Sequence, residues 1–257
     1  MRLLEDSHVA RVSDARKTNE INHGRKIVAH ADDVWGWTGL AGRRRMERRV
    51  RLLTQGAAIG CGKRALELGC GTGVFTAKFS HRGLQLVATD ISSDLLRVAQ
   101  ERVQTLEDVS LVLADVETLP FPDRTFDALI GSSILHHLPM PSSLHEMYRI
   151  LRHGGTMAFA EPNMFNPQIL VQKNIPWVKR WLGDTPDETA FVRWQFARML
   201  HQVGFEQVQV APHDFLHPRT PSAIVPVVQR LGHVLERLPL LREIAGSLLI
   251  TARRPIR

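Results

Sequence analysis

Apolar positions fall in short runs that end on a carboxylate or a glycine, separated by stretches whose apolar residues lie three and four apart. Ala65-Leu66-Glu67-Leu68 runs into Gly69, and Leu84 to Asp90, Val109 to Asp115, Phe126 to Gly131 and Thr156 to Glu161 repeat the form. Runs this short, rich in Val, Leu and Ile and bounded by turn residues, predict buried strands. Val74 to Phe79 reads as a short helix after the first of them. After Ser92 and Asp94, the residues Leu95, Leu96, Val98, Ala99 and Val103 predict another. A further helix covers Pro141 to Arg152, with Leu144, Met147, Tyr148 and Leu151 on one side and His153-Gly154-Gly155 to stop it. Val192, Phe196, Met199, Leu200 and Val203 predict one more, capped by Asp184-Thr185-Pro186-Asp187-Glu188 and ended by Gly204. Phe205 to Ala211 and Ser247 to Ala252 add two last strands. Strands alternating with helices predict an α/β fold.

Residues 1 to about 30 are polar and aperiodic, and they read as a loosely held N-terminal arm. Trp35 and Trp37 follow it. Next comes Gly42-Arg43-Arg44-Arg45-Met46-Glu47-Arg48-Arg49-Val50-Arg51, where Leu40, Met46, Val50 and Leu53 suggest one face of an amphipathic helix. The arginines form either a solvated face or a phosphate-binding one.

The formal charge of +7 over 257 residues opens the question of nucleic acid or anionic lipid. The two cysteines, Cys61 and Cys70, supply neither a disulfide framework nor zinc spacing, and a reducing cytoplasm fits. The charged start Met1-Arg2-Leu3-Leu4-Glu5-Asp6 lacks the apolar core of a signal peptide, and no run reaches transmembrane length.

Candidate chemistry centres on Glu67-Leu68-Gly69-Cys70-Gly71-Thr72-Gly73. Glycine at alternate positions allows a turn of positive φ that brings its backbone close to a ligand. The dinucleotide fingerprint G-x-G-x-x-G would need glycine at 74, where Val74 stands. Glu67 would repel a pyrophosphate and attract an amine or sulfonium. Asp90, roughly 20 positions after the turn, is placed to accept two hydrogen bonds from a ribose diol. Glu67, Asp90, Asp115, His136, His137 and Glu161 all fall at or just after the carboxyl ends of predicted strands, where open parallel sheets bind their ligands.

Residues 60 to 161 resemble the class I S-adenosylmethionine-dependent methyltransferases, in the small-molecule branch that modifies quinones and sugars. The resemblance rests on E-x-G-x-G-x-G from Glu67 to Gly73, on Asp90, and on D-x-x-x-L-P-F-P-D-x-x-F-D from Asp115 to Asp127. It implies a Rossmann-like sheet of order 3-2-1-4-5-7-6 with helices on both faces and the last strand antiparallel at the sheet edge. Residues 1–38 would be an arm or lid, 39–161 the cofactor core, and 162–186 and 213–246 insertions over the site, all in one domain. S-adenosylmethionine would lie against Glu67, Gly69, Cys70, Gly71, Gly73, Asp90, Ile91, Asp115, Val116 and Ser132, with S-adenosylhomocysteine as product.

A histidine of the pair His136-His137 would take a proton while Glu161 orients it. Trp35 and Trp37 would either help to cover the cofactor or pack against the core. The apolar insertions argue for a small, hydrophobic or amphipathic acceptor; methylation is expected at oxygen, with carbon and nitrogen open. The stretch Ile224 to Leu238, with Arg230, Arg237 and Arg242, would touch a membrane, pack inward or form a homodimer. Strand four lacks the N/D-P-P-Y/F motif of DNA amino-methylation and the metal-binding aspartate of catechol-type enzymes. No metal is expected, and nucleic acid is a poor fit. The competing readings are an RNA or protein methyltransferase using residues 43–51, and an inactive cofactor-binding subunit.

Overall fold

The computed structural model describes residues 2–182 and 189–257, with side chains from Asp14 to Lys179 and from Thr189 onward. In chain order the elements are α1 Arg2–Ile27, α2 Ala31–Val34, α3 Leu40–Gly56, β1 Arg64–Leu68, α4 Thr76–Phe79, β2 Gln85–Asp90 and α5 Ser93–Val103. Then follow β3 Val109–Leu113, β4 Phe126–Ser132, α6 Ser142–Ile150, β5 Leu151–Pro162, α7 Pro167–Asn174 and α8 Pro176–Leu182. The chain continues with α9 Arg193–Val203, β6 Glu206–His213, α10 Val225–Leu235 and β7 Ser247–Arg253.

The seven strands make one sheet in the order β3-β2-β1-β4-β5-β7-β6. Strand alternation sends its two faces into two cores. Leu66, Leu68, Leu129, Met157 and Phe159 meet Leu144 and Met147 of α6 and Phe196 and Leu200 of α9. Ala65, Ala128, Ile130, Ala158 and Ala160 lie against Met46 and Leu53 of α3 and Phe79 of α4. Small residues on this second face let α3 sit close to the sheet.

Three expectations need correction. The last strand is not at the edge: β7 runs antiparallel between β5 and β6, and β6 forms the edge. The N-terminal arm is the helix α1. Its polar aperiodic sequence carries no apolar stripe because the helix is fastened chiefly by ion pairs, among them Arg25 Nε to Asp94 Oδ2 at 3.2 Å. The arginine-rich helix is neither a solvated face nor a free phosphate site throughout. Arg45 pairs with Asp214, Arg48 with Glu236, and Arg49 lies in the stripe with Met46 and Leu53 that faces the sheet. Arg43, Arg44 and Arg51 remain exposed.

Boundaries move as well. α4 starts at Thr76 rather than Val74, and β5 begins directly after α6. The predicted cap of α9 at Asp184 to Glu188 lies outside the described residues, and the N-cap Val192 makes no side-chain cap bond. No described helix is long and apolar enough to cross a membrane.

Candidate functional site

β1 leads straight into the glycine turn at the carboxyl edge of the sheet. Gly69 (φ +66°) and Gly71 (φ +55°) are left-handed, a region costly for residues with a Cβ. A Cβ on Gly69 would come within 2.6 Å of Ile134, and one on Gly71 within 2.9 Å of Trp35. Trp35 therefore sits against the turn, whereas Trp37 packs into the core edge-on to Phe75. Gly73 N–H closes the turn on Cys70 O (2.9 Å), and Cys70 N–H reaches Thr89 O of β2 (2.9 Å).

Asp90, at the end of β2, holds this turn. Its Oδ2 accepts from Gly71 N–H (2.8 Å) and its Oδ1 from Ser92 N–H (2.9 Å). Burial raises its pKa, and the two amide donors offset part of that rise. α2 is latched to the same turn. Thr72 Oγ1 donates to Asp32 Oδ1 (2.6 Å), while Arg102 of α5 donates to both Thr72 (3.0 Å) and Asp32 (2.8 Å). Ile91 follows Asp90, half-buried.

Glu67 is buried in β1 with Oε2 lacking any hydrogen-bond partner. Burial is the main cause that pushes its pKa up to about 7; the Thr76 hydroxyl opposes it and the charge of Asp90 adds to it. Between pH 4.5 and 7 the folded chain thus keeps a proton that the unfolded chain releases, so stability falls as pH rises across that window. A shift from 4.5 to about 7 corresponds to about 3 kcal/mol. Glu67→Gln is expected to be more stable than the parent at pH 8 by an amount of that order, and the difference should shrink toward pH 5. Urea unfolding of both at the two pH values measures it; an unchanged difference would refute the assignment.

At the end of β3, Asp115 Oδ1 accepts from Glu117 N–H (2.9 Å), and Lys17 Nζ of α1 lies 2.6 Å from Oδ2. Lys17 also reaches Glu117 at 3.2 Å, and Arg16 bonds both Glu117 and the carbonyl of His137. Burial would lower the Lys17 pKa, but its bonds to Asp115 and Glu117 outweigh this and raise it. Val116 is buried in the core. α1 therefore lies across the rim of the sheet from Asp94 to His137, an arrangement set by charges that apolar periodicity does not register.

After β4, one buried carboxylate organises the loop. Glu161 Oε1 accepts from the N–H groups of Ile134 and Leu135 (2.9 Å each), and its Oε2 lies 2.7 Å from His136 Nδ1. Burial alone would raise its pKa; the His136 contact and the two amides outweigh it and hold it below the usual carboxylate value. The His137 ring lies 4.1 Å from that of His136, with Nδ1 3.1 Å from Glu20 Oε2 of α1. Ser132 is engaged from α3: its Oγ accepts from Arg49 Nη1 at 2.9 Å. The structure thus joins His136 to Glu161, and Gly71 to Asp90. Lys17, Asp32, Arg49, Arg102 and His213 join the site region without having been singled out. Of these only Arg49 left a sequence signal, a cation at core spacing between Met46 and Leu53.

The residues present fit S-adenosylmethionine. A glycine cradle too tight for side chains adjoins a buried carboxylate oxygen without a partner, which suits an ammonium, and a strand-end aspartate suits a diol. Among the described residues no three His, Cys, Asp or Glu side chains gather as a metal site would require.

Comparison with known proteins agrees. Residues 66–159 match the family described as "Methyltransferase domain". A demethylmenaquinone methyltransferase of Thermobifida fusca is 32% identical over 153 residues, covering 56% of this chain and 65% of the relative. A malonyl-[acyl-carrier protein] O-methyltransferase of Serratia marcescens is 33% identical over 111 residues, 43% of this chain and 42% of the relative. The chain thus spans less than two thirds of the length of these relatives. A solved methyltransferase of Thermotoga maritima, described as a possible histamine N-methyltransferase, superposes with a TM-score of 0.65 at 17% identity, covering 90% of this chain and 99% of that one. Residues 66–159 thus match a methyltransferase domain, and the solved structure shares the fold of the chain around it.

Proposed function

We propose that the protein methylates a small amphipathic acceptor bearing an acidic hydroxyl, of the quinol type, with His136 as the base. The observation that carries this reading is the His136–Glu161 contact at the end of β4. A carboxylate can only accept, so His136 Nδ1 holds the proton and Nε2 keeps a lone pair for the acceptor hydroxyl. Glu161 orients the ring and stabilises the imidazolium that forms. His137, beside Glu20 of α1, is assigned no proton transfer.

The cofactor supplies an electrophilic methyl group when bound. Glu67 would take its amine, and the turn Gly69, Cys70, Gly71 and Gly73 its methionine part. Asp90 would take the ribose hydroxyls, and Ile91, Asp115 and Val116 the adenine. Removing the hydroxyl proton enriches the acceptor oxygen and, by conjugation, the adjoining ring carbon. Oxygen is the site expected from the sequence. Carbon gains support from a relative named as a ubiquinone/menaquinone biosynthesis C-methyltransferase. Incubating the protein with S-adenosylmethionine and a short-chain naphthohydroquinone, then locating the added methyl by mass spectrometry and NMR, tests both. Absence of any methylated product from phenols, quinols and enols would overturn the reading.

Adenine binding at Asp115 would compete with Lys17. Lys17→Met is expected to tighten S-adenosylmethionine binding about fivefold, the scale of a partly exposed ion pair. Calorimetric titration decides, and weaker binding would mean that Lys17 helps to hold the cofactor.

The insertions supply an apolar surface for such an acceptor. Phe165 packs edge-on to Trp194, and Trp177 is largely exposed. On and after α10 the exposed Val227, Leu231, Val234 and Leu238 stand at helical spacing, with exposed Arg230, Arg237 and Arg242 among and beyond them. An apolar stripe beside cations suits an anionic lipid surface. Vesicles containing phosphatidylglycerol should cosediment the protein, and Leu231→Glu with Leu238→Glu should reduce binding at least tenfold. Equal behaviour of the two proteins, or a stripe buried in a dimer by sedimentation velocity, would refute membrane contact.

A further inference from the structure

Arg49 of α3 is only 4% exposed, yet its hydrogen bonds go to neutral groups. Nη1 donates to Ser132 Oγ (2.9 Å) and Ser133 Oγ (3.0 Å), and Nη2 donates to Ser247 Oγ (2.9 Å). Its Nε is buried without a partner, and the guanidinium lies over the Trp37 ring at 5.3 Å. The carboxylates that act on its charge, Asp214 and Glu161, are engaged by Arg45 and by His136. A buried cation without a carboxylate of its own is costly and calls for a compensating anion.

A second observation lies alongside. His213 ends β6 opposite Ser247 of β7, is buried, and has no hydrogen-bond partner on either ring nitrogen. Arg49 and Arg48 both act on it electrostatically, so it belongs to the same polar cluster. A third is strain. Ser133 is left-handed at φ +60°, a conformation that a residue with a Cβ adopts at a cost, as at functional turns. Its neighbours Ile134 and Leu135 are held by Glu161, so the loop after β4 is clamped between a buried cation and a buried carboxylate.

A serine hydroxyl that accepts from a guanidinium still has its own proton to donate, and Ser132 and Ser133 are half-buried rather than sealed. We propose that Ser132 and Ser133, backed by Arg49, form the subsite that receives the acceptor's oxyanion, a phenolate or enolate oxygen. The proposal rests on the reading of His136 as base. The acceptor O–H bond breaks, the proton goes to His136 Nε2, and the electron pair stays on an oxygen that now accepts from the two hydroxyls. Arg49 is a positioning residue that polarises those hydroxyls. Donors preorganised toward a developing oxyanion are worth far more in a water-poor site than in solution.

The test uses 4-nitrophenol, whose ionised form is yellow, and needs no turnover. Titrated against the full chain with S-adenosylhomocysteine present, the bound probe should ionise about one pH unit lower than the free probe, a tenfold preference for the anion. Ser132→Ala combined with Ser133→Gly, the latter compatible with positive φ, should erase that shift and weaken binding of the anion about tenfold. Melting temperature should fall, because Arg49 loses two of its three acceptors, and far-UV circular dichroism should show the variant folded at the temperature of the titration. Arg49→Lys, which keeps the charge but loses the fork, should give an intermediate shift. A parent protein that binds the probe neutral or not at all overturns the proposal, as does a shift that survives in the serine variant. An intact shift in a protein that transfers no methyl group would retain the anion subsite and discard the proposed reaction.

Discussion

Glu161→Gln is expected to lower turnover by about a thousand- to ten-thousand-fold while the fold persists. The new amide keeps an oxygen for the N–H groups of Ile134 and Leu135, so the loop after β4 retains its anchor. Its NH2 then faces His136 Nδ1, which must accept. The ring proton moves to Nε2, and the lone pair that would take the acceptor proton is gone. Cofactor affinity measured by calorimetry should change little. Glu161→Ala should behave differently, because two buried N–H groups and a histidine lose their partner; the destabilisation should be about 3–5 kcal/mol in urea. Near-parental turnover in the glutamine variant would remove His136 from the base role.

Asp90→Ala is expected to weaken S-adenosylmethionine binding a few hundredfold. Two hydrogen bonds from a ribose diol to a carboxylate are worth about 1.5–3 kcal/mol each at most, and part of that is lost to competing water. The same change strips Gly71 and Ser92 of their acceptors, so the glycine turn loosens before any ligand arrives. Calorimetry reads the first effect and urea unfolding the second. Binding within a few-fold of the parent would show that Asp90 serves the turn alone.

Strands β1, β2 and β4 were legible because they are buried almost throughout and announce themselves as apolar runs; the sheet order was implied by the resemblance. That order placed β7 between β5 and β6, as observed, whereas Ser247 to Ala252 by itself looks alike as an inner strand or an edge. Asp90 and Glu161 could be singled out because a carboxylate ending an apolar run has few structural reasons to be there. Their present partners, Gly71 and the loop after β4, depend on the fold of loops that leave little periodic signal. α1 was missed outright. It is held by Arg16, Lys17 and Arg25 to carboxylates and a carbonyl between 69 and 121 residues away, and such pairing has no local pattern. The arginine cluster was visible as charge, but charge along a helix does not reveal which members turn inward. That three of its arginines are consumed inside the fold weakens the case for an RNA surface there.

The inner position of β7 also sets an order of assembly. β6 pairs with β7 and lies next to no other strand, so during synthesis it must wait unpaired until Ser247 to Arg253 has left the ribosome. The other five strands can join by then, each beside a neighbour already made. The closing step zips β7 between β5 and β6, and Arg254 then donates to the carbonyls of Tyr148, Arg149 and Leu151, about a hundred residues back. Pairing over such separations is slow. A nascent chain halted before β7 would therefore present the free edges of both β5 and β6, a form in which chaperones or neighbouring chains find strands to bind.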